Sequence, residues 1–403
     1  MKRILFVALS ATLLAAGCQK TEIINPVNSN VMTFSTNMSK LTKAGQQDAE
    51  KTGEVNLQEQ NFRVWAYCAY EDQNTTAVEM NSIYDGISNL DVTYTPANDA
   101  IPASWGTAKE YFWPGVSKEL KFFAVSDGKA AADSKVSIGT DINSMTITDF
   151  EVTPSSYNTD LMVADFVKQH QGDKVVDLKF HHVLSKIQFV FKTIDTGEAT
   201  VYVQDLVVKD LETKGTLSVA PKPDETPEDG QGNDTPSTVA DEEQETPAYV
   251  GEITPVKFTW TLPVYDEGAT ETTLDEFADD WTTSVVTTDG AEGYDGDFPE
   301  KIDGVDATEA DKVAMKVTAT GTESQTFTTW LMLPQSIEGK KVEITYLINE
   351  RKFTSIFPLE TASLKAWADN QYVKYTITLA PNLISFNPSV EPWNPETNVG
   401  YQN

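Results

Sequence analysis

Apolar residues recur along this chain in short runs with a period near two, and turn residues separate the runs. Stretches rich in β-branched and aromatic residues fall at 31–38, 62–70, 120–125, 144–148, 175–180, 183–192, 200–208 and 256–262. Further ones follow at 314–318, 326–333, 341–348, 352–358 and 372–379. Helical periodicity is almost absent. Many short strands at this spacing predict antiparallel β-sandwiches. The stretch 183–192 puts Val183, Ile187, Phe189 and Phe191 on one face, with Ser185 interrupting the row. Its other face mixes Lys186, Gln188 and Lys192 with Leu184 and Val190, so one side is predicted to be buried and the other to be mixed. The stretch 62–70 is apolar on both faces, which makes its Cys68 a buried structural thiol rather than a nucleophile.

Two segments break the pattern. Residues 221–248 hold runs such as Asp241-Glu242-Glu243-Gln244-Glu245 and almost nothing to bury, so an acidic loop inserted between strands is expected. A second acidic, Gly-rich stretch at 289–311 reads as another long loop. The whole chain has 403 residues and a formal charge of −31, enough length for two buried cores. A surface this acidic repels phosphate, so nucleic acid is excluded as a partner.

At the amino end, Lys2 and Arg3 precede an apolar run from Ile4 to Leu14, then Ala15-Ala16-Gly17-Cys18. Charge, a greasy segment and small residues in that order predict a secretory signal peptide over 1–17. The run is too short to remain as a membrane-spanning helix. The Cys after Ala-Gly resembles a bacterial lipobox, in which the thiol is acylated and the peptide cut before it. Cys18 is therefore expected to carry lipid, which leaves Cys68 with no intrachain disulfide partner.

Candidate chemistry is sparse. Asp295, Asp297, Asp303 and Asp306 cluster in the second acidic stretch, yet lack the spacing of a calcium loop and are expected to be solvated. His181 and His182 are adjacent and point to opposite faces of a strand, so they cannot share one ion; the third histidine is His170. Trp105, Tyr111, Phe112 and Trp113 could make a sugar platform, although core and edge packing is the preferred reading. No nucleophile elbow, phosphate loop, dinucleotide fingerprint or zinc-protease motif is present. The expectation is a non-enzyme, with no catalytic residue, no metal and no cofactor.

Several segments resemble the fimbrillin family, the lipoprotein pilins of type V pili in Bacteroidia. They are the lipobox ending at Cys18; Met32-Thr33-Phe34-Ser35-Thr36 followed by Leu41-Thr42-Lys43-Ala44; Phe62-Arg63-Val64-Trp65-Ala66-Tyr67; and Tyr111-Phe112-Trp113-Pro114 with Leu120-Lys121-Phe122-Phe123-Ala124. Phe180-His181-His182-Val183-Leu184-Ser185-Lys186, Leu333-Pro334-Gln335 and Trp367-Ala368-Asp369-Asn370-Gln371-Tyr372 continue the series. The resemblance implies an all-β protein of two tandem transthyretin-like antiparallel sandwiches, 44–180 and 181–403, with long acidic loops. It implies export to the outer membrane as a surface-exposed lipoprotein. A maturation protease then removes 18–43 with its first strand, and a C-terminal donor strand from another fimbrial subunit fills the vacancy, head to tail. The family usually carries Arg where Lys43 stands.

Two expectations follow from the residues themselves. Met32, Phe34 and Met38 lie at offsets 0, 2 and 6, and Ile384, Phe386 and Val390 repeat those offsets, with Pro388 where Thr36 stands. The second set is expected to take the pockets of the first. Lys40 and Lys43 are the basic residues between the first strand and Lys51, which predicts tryptic-type cleavage after Lys43 and a new terminus at Ala44. The competing expectation is a monomeric surface lipoprotein that grips glycans or a host ligand.

Overall fold

The computed structural model of the chain describes residues 30–38, 53–71, 78–98, 102–114, 119–129, 131–152, 159–170, 175–194, 199–223, 252–263, 278–284, 298–308, 310–381 and 383–393. Strands dominate, the α-helix Gly53–Gln60 and the 3₁₀ turn Ala131–Asp133 being the exceptions among these residues. The helix escaped the sequence reading because it is only eight residues long. It anchors through the buried Leu57 and stops where Asn61 turns to φ 62°, returning its N–H to the Leu57 carbonyl at 2.8 Å.

Seven strands in the amino-terminal half pair in a closed circuit: Phe62–Glu71, Leu90–Thr95, Ser104–Gly106, Thr33–Met38, Val175–His182, Met162–Ala164, Glu119–Ser126 and back to Phe62–Glu71. Its interior is filled by one parity of each strand: Met32 and Phe34; Phe62, Val64, Ala66 and Cys68; Leu120, Phe122 and Ala124; Val176, Leu178 and Phe180. That row is the period of two read directly as burial. The opposite parity of Glu119–Ser126 is also buried, because Phe123 and Val125 pack outside the circuit beneath a second sheet. Lys121, on the same outer side, reaches Asn143 Oδ1 at 2.8 Å and lies over the rings of Phe123 and Phe166. Burial pushes its ammonium pKa down.

The second sheet runs Val256–Thr261, Lys214–Pro221, Met145–Glu151, Val136–Ile138. It joins strands from both halves of the chain, and Glu252–Thr254 also adds to Phe166–His170 on the edge of the circuit sheet. Gly215 permits a close approach there, since a Cβ would stand 2.8 Å from Leu262 Cδ2 and 3.3 Å from Leu333 Cδ1. The carboxy-terminal half is a sandwich. One sheet runs Gln325–Met332, Ser185–Thr193, Gln371–Ala380, Leu383–Pro392; the other runs Ala278–Ser284, Val201–Leu211, Lys341–Ile348, Arg351–Pro358. Ile187, Phe189, Phe191 and Ile377 share one core with Leu206, Val208, Val342, Ile344 and Tyr346.

Two expectations change. The sheets are mixed rather than antiparallel: Thr33–Met38 lies parallel to Val175–His182, and Ser185–Thr193 lies parallel to Gln371–Ala380. Side-chain alternation is the same for either direction, so the letters carried no sign of it. The stretch 289–311 is not wholly a loop, because Lys301–Ile302 and Val305–Asp306 form a hairpin whose Asp303 and Gly304 take φ of 50° and 83°. Asp-Gly is the dipeptide that supplies two positive φ values cheaply. Ile302 fixes the hairpin to Tyr202, Ala314 and Leu347. Core packing, the preferred reading of the aromatic cluster, holds for Trp105, Tyr111 and Trp113, which are buried, while Phe112 is exposed. Residue 180 falls inside Val175–His182, and Lys214–Pro221 and Glu252–Thr254, both later in the chain, pair with strands before it. Residues 224–248 of the acidic loop, with Asp295 and Asp297, lie outside the described residues.

Candidate functional site

Thr33–Met38 is flanked on both sides. Along one side all six residues pair with Val175 to Phe180. Along the other, Phe34 pairs with Trp105, Val31 bridges Phe112, the Met32 N–H reaches the Tyr111 carbonyl at 2.8 Å, and the Trp113 N–H reaches the Asn30 carbonyl at 2.8 Å. Met32 and Phe34 are buried in the circuit interior. The Phe34 ring meets Phe62 and Phe122 edge-on, at centroid distances of 6.1 and 6.4 Å. Burial of each of these two side chains is worth about 1.5–3 kcal/mol. Thr36 accepts a hydrogen bond from the Trp105 indole N–H at 2.9 Å, and Ser35 on the solvent face donates to Asp177 Oδ1 at 2.9 Å. Met38 holds a backbone position opposite Phe180. Removal of this strand would open the circuit between Val175–His182 and Ser104–Gly106, leaving an apolar trough and an unpaired strand edge.

Leu383–Pro392 is held on one side only. It forms a ten-pair antiparallel hairpin ladder with Gln371–Ala380, and no described strand pairs with its outer edge. Ile384 and Phe386 are half-buried against the sandwich core, while Val390 is 54% exposed. The Phe386 ring stacks on Tyr375 and on Phe357 of the opposite sheet, both at 5.1 Å, so it clips the open seam of the sandwich. Tyr375 is a firm base for that stack. Its hydroxyl donates to the Leu359 carbonyl at 3.2 Å and accepts from the Trp367 indole at 3.0 Å. Burial raises the pKa of the phenol, which keeps it neutral. The neighbouring edge strand Arg351–Pro358 exposes Ile356 and Phe353.

Within one chain, therefore, Met32 and Phe34 sit in a different core from Ile384 and Phe386. Cys18, Lys43 and Ala44 lie outside the described residues. Trp105 and Asp177, which touch the first strand directly, were not singled out for that role by sequence reasoning. Asp177 was detectable as the polar outward position of an otherwise apolar alternation, but nothing linear ties it to Ser35. Among the described residues there is no group of three or more His, Cys, Asp or Glu side chains that could hold a metal ion. No described helix is long and apolar enough to cross a membrane.

A family model for fimbrillin-like proteins matches residues 42–393. Among solved structures, a fimbrial protein from Bacteroides vulgatus is 15% identical, covers 90% of this chain and 99% of its own, and superposes with a TM-score of 0.48. A candidate cell-adhesion protein from Bacteroides ovatus is 11% identical, with coverage of 91% and 98% and a TM-score of 0.44. Another from Bacteroides uniformis is 16% identical, with coverage of 82% and 91% and a TM-score of 0.38. No curated protein matches the chain.

Proposed function

The chain belongs to the fimbrillin-like family, and from that premise we propose that it is a structural subunit of a cell-surface fimbrium that serves adhesion. In this reading it is exported as a lipoprotein precursor acylated on Cys18 and held in the outer membrane, facing outward. Cleavage after Lys43 makes Ala44 the new terminus and frees the first strand. Two transthyretin-like sandwiches carry the two halves of the exchange. The vacated place then accepts the C-terminal strand of a second copy or a homologous subunit. The role is mechanical, with no catalytic residue or cofactor assigned.

The observation that carries this reading is the position of Thr33–Met38 as the strand that closes a circuit over an apolar interior. Loss of such a strand exposes backbone groups and apolar side chains together, and an incoming strand of the right pattern satisfies both. A one-sided edge strand with apolar residues at the matching spacing is available at Leu383–Pro392. The match of Ile384, Phe386 and Val390 to Met32, Phe34 and Met38 holds only for a strand entering in the same direction, parallel to Val175–His182. Reversed, the offsets 0, 2 and 6 become 0, 4 and 6. In the matching register Ser385, Asn387 and Ser389 take the positions of Thr33, Ser35 and Asn37. Asn387 then stands where Ser35 donates to Asp177, and its amide can make the same donation. Pro388 stands where Thr36 accepts from Trp105, and that acceptor is lost. Because the contact is head-to-tail and does not close, repetition makes a fibre.

Trypsin treatment of lipid-free precursor is expected to give SDS-resistant, heat-labile ladders, with Ala44 at the new terminus by sequencing. Phe386→Asp should abolish the ladders and leave a folded monomer by circular dichroism. Unchanged ladders in that variant remove the mapping. A single monomer band from wild-type protein that has been cut after Lys43 removes strand exchange, and affinity of that monomer for glycan or a host ligand would then favour a binding protein.

A further inference from the structure

The C-terminal strand does not end at its ladder. One residue beyond Pro392, Trp393 folds into the junction between the two halves and stacks flat on the His182 imidazole, at 4.4 Å and 20°. Trp393 is 6% exposed. The imidazole beneath it is fixed from the other side, since His182 Nδ1 lies 2.5 Å from Asp160 Oδ2 and both side chains are buried. A ring so oriented offers its face to the indole.

Between the two aromatic anchors the tail keeps its ladder to Gln371–Ala380 and a Ser389 hydroxyl bond to the Lys374 carbonyl at 3.3 Å, but buries little apolar surface. Asn387 and Ser389 are exposed, Val390 is 54% exposed, and Pro388 and Pro392 have no N–H to give to a ladder. The tail's side chains are therefore clipped at Phe386 and at Trp393, with a more exposed part of the ladder between. The second clip sits on a strand of the other half. His182 is the last residue of Val175–His182, whose residues 175–180 are the partners of the first strand. One strand thus holds the segment proposed to leave at one end and the segment proposed to be donated at the other.

We infer that Trp393 is a latch that keeps the C-terminal strand docked on its own subunit, with His182, oriented by Asp160, as its seat. The inference that release of this latch precedes donation rests on the strand-exchange reading; the retention of the tail by Trp393 does not. Before a neighbour can receive residues 384–390, the indole must lift from His182, because only Glu391 and Pro392 separate it from the donated residues. An aromatic pair of this kind shifts the docked-to-released ratio by about threefold to tenfold. The latch is thus strong enough to suppress premature donation and weak enough to open.

The test is hydrogen exchange on the intact chain, comparing wild type with Trp393→Leu and Trp393→Phe. In the Leu variant the amides of 383–391 should exchange about threefold to tenfold faster, with Val201–Leu211 and Thr33–Met38 unchanged, and the Phe variant should restore protection. Trp393→Met serves in the same way if the Leu variant does not fold. Wild-type exchange in the tail of the Leu variant, or faster exchange throughout the molecule, overturns the latch. Trypsin ladders separate this from the parent reading. A loosened tail in the variant with no ladders from any form leaves the latch standing and removes strand exchange. Ladders from wild type with an unaltered tail in the variant keep strand exchange and remove the latch.

Discussion

Thr33–Met38 and Leu383–Pro392 carry side chains of similar pattern but are built into the molecule in different ways. The first is a strand parallel to Val175–His182, with neighbours on both sides and Phe34 sealed in a closed circuit; the second is the outer arm of a hairpin, with Ile384 and Phe386 half-buried and no described strand on its outer edge. A strand hemmed in on both sides cannot leave without exposing a trough, whereas an edge strand can peel away at the cost of one ladder. Sequence pattern sets what each strand can bury. Its place in the sheet sets how readily it can move.

That contrast can be broken or sharpened by measurement. Phe34→Ala in the uncleaved chain should cost about 3–5 kcal/mol, because the ring it removes is enclosed by Phe62 and Phe122. Phe386→Ala should cost about 1–2 kcal/mol, since the ring is half-buried and clips a seam that stays partly closed. Urea unfolding of the two variants side by side is the check, and equal losses would erase the distinction between a sealed strand and an edge strand. Smaller by design is the pair Trp105→Phe and Thr36→Val, each removing one end of a single hydrogen bond. Each should cost about 1 kcal/mol, with a double-mutant coupling of similar size, and a coupling near zero would detach Thr36 from the trough wall. Smallest are Ser35→Ala, which loses an exposed donor to Asp177, and Val390→Ala at a mostly solvated position. Both should fall within about 0.5 kcal/mol in the monomer. If Val390→Ala nevertheless slows ladder formation, its side chain is used in the polymer and not in the isolated chain.

Much of this architecture was legible because burial follows parity. Phe62, Val64, Ala66 and Cys68 can be read as one face from spacing alone, and they line one interior. The run Leu120-Lys121-Phe122-Phe123-Ala124 is apolar on both faces, and two layers cover it. The C-terminal alternation Ile384, Phe386 was legible for the same reason. Other features were not. The helix Gly53–Gln60 buries Leu57 and is too short for a periodic signal. The hairpin at Asp303-Gly304 carries a recognisable turn dipeptide, but acidic surroundings hid it within an apparent loop. Trp393 follows the last alternating stretch as an isolated aromatic, and no linear rule points it at His182, more than two hundred residues earlier in the chain.

From its residues alone the chain determined which side of each strand is greasy, since strand geometry forces successive side chains to opposite faces whatever the neighbours are. It therefore determined that two end segments offer the same apolar spacing. Only tertiary structure decided which strands become neighbours, in which direction they run, and whether a given edge is occupied. Those are properties of backbone pairing between segments distant in the chain, and backbone N–H and C=O groups are nearly the same at every residue. Side-chain letters thus specify the contents of a slot, and the fold specifies whether the slot is closed.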